Sequence, residues 1–99
     1  MVIGVLVVDL RLGDVHSLKQ KRAVVRPIIA ELRRRFEVAA AETGSLDLHR
    51  RAEITLAVVS SAHQHATSVL EECERHVAGR PEVELLAARH RVLHSQDLD

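Results

Sequence analysis

The sequence predicts a single α+β domain in which strand, helix and strand follow one another twice. Two observations carry that prediction. Short β-branched and aliphatic runs alternate with two longer segments whose apolar residues recur every three or four positions. Each longer segment is opened by Ser-x-x-Gln, a helix-start signature, at Ser17/Gln20 and again at Ser61/Gln64. A chain of 99 residues suffices for one core and not two, and 46% hydrophobic with 28% charged residues excludes the composition of a disordered chain.

Val2 to Asp9 is too short and too β-branched for a helix and runs into the Gly13-Asp14 turn signal, so it reads as a strand. Val2, Leu6, Val8 and Leu10 occupy one of its faces and Ile3, Val5 and Val7 the other, the pattern of an interior strand covered twice, or once by helices and once by a partner chain. Ser17 then caps a helix to about Arg35, with Leu18, Val25, Ile28, Ile29, Leu32 and Phe36 in one apolar stripe. Pro27 removes an amide from its interior and predicts a kink near Ala23 to Arg26.

Phe36 to Glu42 reads as a second strand, followed by a loop over Thr43 to Arg50 with Gly44-Ser45 as breaker. Ala52 to Ser60 is a third, where Glu53 and Thr55 alternate with Ile54, Leu56 and Val58. The second helix starts at Ser61, carries the seam Ala66, Val69, Leu70, Cys73 and Val77, and stops at Gly79 and Pro81. Val83 to Val92 supplies the last strand, so that the domain occupies residues 1–94 and residues 95–99 form a frayed tail. Two strand-helix-strand units with right-handed crossovers give a ferredoxin-like βαββαβ arrangement, a four-stranded antiparallel sheet with two helices on one face. A two-layer sandwich of different strand order would use the same elements.

The lone Cys73 excludes an internal disulfide and a Cys-based zinc site, which fits a reducing, cytoplasmic setting. The apolar opening, Met1 to Val8, is far too short to span a membrane. Net charge is zero, yet Lys and Arg outnumber Asp and Glu by ten to six through Arg51, and the acids lead by eight to four after it. Such a division suits a basic face for an anionic partner or complementary faces for self-association.

The sharpest cluster is His16-Ser17-Leu18-Lys19-Gln20-Lys21-Arg22. Amides at a helix start and nearby cations favour a phosphate, which makes His16 and Ser17 candidate anion contacts. On a helical wheel Lys19, Arg22, Arg26 and Arg33 fall within an arc of about 60° and form a ridge able to track a nucleic-acid backbone. The same residues would equally make an ordinary solvated helix face. Lys21 falls toward the sheet, where a charge needs a partner such as Glu53, so both are assigned structural roles.

Other chemistry is poorly supported. His63 and His65 are two apart and diverge on a helix, and the remaining five histidines lack close ligand spacing, so no metal is expected. Cys73 lies mid-seam, Ser60 and Ser61 lack the Gly-x-Ser-x-Gly elbow, the four glycines are dispersed, and no cofactor is expected. An acylphosphatase-like hydrolase would need an Asn, and the chain has none. With Phe36 the only aromatic, base stacking is not a main binding mode and any RNA contact must be electrostatic or shape-based.

His16 to Arg22, Arg33-Arg34-Arg35-Phe36 leading into Ala41-Glu42, and Asp47-Leu48 through Arg51-Ala52-Glu53-Ile54 resemble the bacterial YlxP-like family, domain of unknown function 503. The resemblance spans nearly the whole chain. It implies a ferredoxin-like fold and a genomic neighbourhood of transcription-elongation, translation-initiation and ribosome-maturation factors. Where those relatives commonly carry an aromatic after Asp-Leu, this chain has His49. The resulting expectation is a non-enzymatic accessory factor that binds RNA or a ribosomal subunit through the basic ridge. The alternative is a homodimeric protein-interaction or small-ligand module without catalysis.

Overall fold

The computed structural model describes residues 1–98. Its elements are β1 (Val2–Leu12), α1 (Leu18–Phe36), β2 (Ala39–Gly44), β3 (Arg51–Ser60), α2 (His63–Ala78), β4 (Val83–His94) and a short 3-10 turn over Ser95–Leu98. The strands form one sheet in the order β2-β3-β1-β4, with every neighbouring pair antiparallel. This is the ferredoxin-like plait, with α1 and α2 side by side on one face.

Alternation along β1 builds the core. Val2, Leu6, Val8, Leu10 and Leu12 are buried beneath the helices, while Ile3, Val5 and Val7 point to the opposite face and are half-buried. From above, α1 contributes Val25, Ile28, Ile29 and Leu32, and α2 contributes Ala66, Leu70, Cys73 and Val77. Gly4 lets α2 approach the sheet closely: a β-carbon there would lie 2.9 Å from Leu70 Cδ1 and 3.3 Å from Ala66 Cβ.

The ends of the elements follow local hydrogen-bond chemistry. Ser17 Oγ accepts from the Gln20 amide at 3.0 Å, and Gln20 Oε1 accepts from the His16 amide at 2.7 Å, a reciprocal start for α1. The helix continues through Pro27 to Phe36, and Glu37 then turns the chain with φ 54°. β2 therefore starts three residues later than the apolar pattern from Phe36 suggests. The second Ser-x-x-Gln does not act as a cap. Ala62 occupies that position without a side-chain bond, and Ser60 Oγ accepts from the Ala62 amide at 3.0 Å. β4 extends to His94, where Val2 is its partner on β1. In the segment read as a frayed tail, Ser95 Oγ accepts from the terminal amine of Met1 and Asp97 accepts from the His94 amide, whereas Asp99 lies outside the described residues.

Candidate nucleic-acid interface

Helical spacing sets Lys19, Arg22 and Arg26 one above another on the solvent side of α1, and together with Ala23 and Pro27 they line a shallow recess of ≈ 350 Å³. All three are exposed. Among the described residues none has a carboxylate within 4.0 Å. Pro27 has no amide, so the Ala23 carbonyl lacks the donor four residues on that a regular helix would give it. The recess thus gathers three cations on one helix face.

Arg33 does not share it. Its Nε and Nη2 donate to the Ala40 carbonyl at 3.0 and 2.6 Å, clipping α1 to the outer edge of β2. The ridge is therefore Lys19–Arg22–Arg26, with Arg33 turned to the sheet edge. The helix start is also occupied by its own chain: Ser17 Oγ is bonded to Gln20, and the His16 ring contacts the Asp14 carboxylate. His16 and Ser17 shape the beginning of α1 and do not extend the cationic row.

Lys21 is 2% exposed, and its partner is Glu42, not Glu53. Nζ sits 2.7 Å from Glu42 Oε2 in an ion contact, and its aligned hydrogen bond goes to the Ser45 carbonyl, also at 2.7 Å. Glu42 follows the core-facing Ala40 by two residues and so lies on the helix side of β2. Glu53 alternates with the buried Ala52 and Ile54 and projects from the other face, where Thr43 Oγ1 donates to it at 3.2 Å.

Several histidines have partners that spacing does not reveal. His63 and His94 stack with ring centroids 5.1 Å apart and Nδ1···Nε2 at 3.0 Å, joining the start of α2 to the end of β4. His76 and Arg80 both face Glu31 of α1, at 3.3 and 2.7 Å. No group of three or more potential metal-ligating side chains is present among the described residues. Cys73 is fully buried, and burial together with the neighbouring Glu72 pushes its thiol up to about 11. No described helix is long and apolar enough to cross a membrane.

The fold and this surface define a ferredoxin-fold domain with a cationic helical recess. A family model described as "Protein of unknown function (DUF503)" matches residues 3–90, and the chain belongs to that family. "Uncharacterized protein YlxP" of Bacillus subtilis (strain 168) is 32% identical over 76 residues, covering 77% of this chain and 83% of that relative. A de novo designed protein with ferredoxin fold, solved by NMR in solution, superposes with a TM-score of 0.55 at 15% identity. It covers 96% of this chain and 87% of its own, and supports the fold alone.

Proposed function

We propose that this protein is a cytoplasmic, non-enzymatic accessory factor that binds RNA, free or within a ribosomal subunit, along α1. The supporting observation is the row Lys19, Arg22 and Arg26, which shares one recess and has no carboxylate within 4.0 Å among the described residues. Cations held on one rigid helix neutralise successive phosphates. Phe36, the only aromatic, contacts His76 edge-on and lies 5.5 Å from Arg35 Cζ, outside the recess, so the contact is to backbone and not to stacked bases.

Titrating a single-stranded RNA across salt concentrations, alongside purified ribosomal subunits, tests the reading. Neutralising about three phosphates of a single strand predicts a slope of about −2 in log K against log salt, a loss of about 20-fold between 50 and 200 mM. R26A should lower the slope to about −1.4 and that loss to about sevenfold. R22E/R26E should abolish binding. No binding at low salt, or full binding by R22E/R26E, rejects the proposal.

A further inference from the structure

Among the described residues nothing covers the sheet face opposite the helices. Ile3, Val5 and Val7 on β1 are half-buried there, and Val59 on β3 is 73% exposed. Against these bulky groups stand the small Ala39 and Ala41 of β2, which floor a recess of ≈ 270 Å³. The charges are segregated as well. Arg89 and Arg91 lie on β4 beside Val7 and Val5, while Asp9 and Glu53 are directly opposite each other on β1 and β3. Two like charges in register destabilise a sheet. Neither carboxylate has a basic group within 4.0 Å among the described residues.

We propose that this open face binds a second copy of the chain, the two sheets crossing orthogonally about a two-fold axis over Ala57 and Val7, with Arg89 and Arg91 of each copy set on Asp9 and Glu53 of the other. The register fixes this geometry. Same-face residues repeat every ~6.8 Å along a strand and strands every ~4.8 Å across, so a diagonal axis exchanges the two directions with little mismatch. Arg89 is one strand from Val7 and Asp9 is one same-face step from it, so the rotation exchanges them. In the same way Arg91 reaches Glu53, Ile3 falls on Ala41, and Val59 on Ala39, each within about 3 Å in the plane of the sheets.

About the same centre, between Ala57 and Val7, an axis along the strands would set Asp9 over Glu53, one across them would set Arg89 over Arg91, and the opposite diagonal would seat Arg89 on Val59. Orthogonal crossing is one of the two ordinary modes of sheet packing. Arg11 and Arg51, in the next row beyond Asp9 and Glu53, fall outside the overlap. Overlap of a single small sheet face places the dimer at the weak end of specific interfaces. Both α1 ridges stay on the outside, so RNA binding and self-association are tested separately.

Sedimentation equilibrium from about 10 to 500 μM brackets the expected micromolar association. The wild-type chain should dimerise, and V59R should raise Kd at least tenfold without unfolding, because Val59 is already solvent-exposed. R89E/R91E alone and D9R/E53R alone should each be monomeric. Mixed one to one, they should form a heterodimer, since every contact then joins opposite charges. Circular dichroism checks that each variant is folded, and the wild-type and V59R results decide the matter if a charge variant is not. A wild-type monomer at every concentration, a dimer indifferent to V59R, or folded charge variants that do not pair on mixing overturns the proposal.

Discussion

Replacing Lys21 by methionine keeps the aliphatic stem and removes the charge. Two groups then lose their partner. The Ser45 carbonyl is left without its donor, and Glu42, whose side chain is 20% exposed, is left without its counter-charge. Removing one member of a buried pair costs about 3–5 kcal/mol, and the partial access of Glu42 to water lowers that here to about 2–3 kcal/mol. For a domain of this size the melting temperature should fall by about 10–20 °C. K21M/E42M removes the stranded carboxylate too, leaving only the Ser45 carbonyl unpaired at about 1 kcal/mol, so the double variant should be more stable than K21M. Urea and thermal unfolding followed by circular dichroism measure both. A K21M melting temperature within 2 °C of wild type, or a double variant below the single, would show that Lys21 does not tie α1 to the β2 end.

Two further outcomes follow from the core. Because the Cys73 thiol is raised from 9.0 to about 11, the folded state holds its proton where the unfolded state releases it; its stabilising contribution is complete below pH 9 and lost as pH rises through 11. Unfolding free energy should decline over that window more steeply in wild type than in C73A, and thiol reagents should label the native protein only as fast as it unfolds. Gly4→Val should destabilise by about 2–3 kcal/mol, since a β-carbon alone would already lie 2.9–3.3 Å from Leu70, Val58 and Ala66; an unchanged urea midpoint would mean that α2 does not sit against β1 as described.

The order of elements was legible because it depends on periodicity, which each segment carries by itself. Val2 to Leu10 is a β-branched run too short for a helix, the α1 stripe recurs at helical spacing, and the seam around Cys73 does the same. The boundary at β2 was not, since Ala39, Ala40 and Ala41 carry no β-branched signal and α1 persists to Phe36 before Glu37 adopts a left-handed turn. Lys21 was correctly placed toward the sheet, but its partner depends on strand phase. The buried Ala52 and Ile54 already turn Glu53 away from the helices, so the sequence held that signal; assigning Glu42 required knowing that Ala40 faces inward. Arg33 shows the opposite case. Its place on the helical wheel matches Arg26, and only the tertiary fold brings the edge carbonyl of Ala40 within reach.

The two proposed surfaces also account for how a chain of zero net charge could engage a polyanion. With no overall attraction, binding depends on where charge lies and how it is held. The basic first half of the chain concentrates on α1, whereas α2, its neighbour on the same face, carries Glu71, Glu72 and Glu74. A phosphate backbone approaching the helical layer is drawn to one helix and repelled by the other, which sets its direction along α1. On the open sheet face the proposed dimer would set Arg89 and Arg91 of each copy against Asp9 and Glu53 of the other, so that these four groups would be matched between copies. If both proposals hold, the layers put the same residue types to separate uses: a cationic row on α1 for an anion, and Arg89, Arg91, Asp9 and Glu53 on the sheet for a second copy.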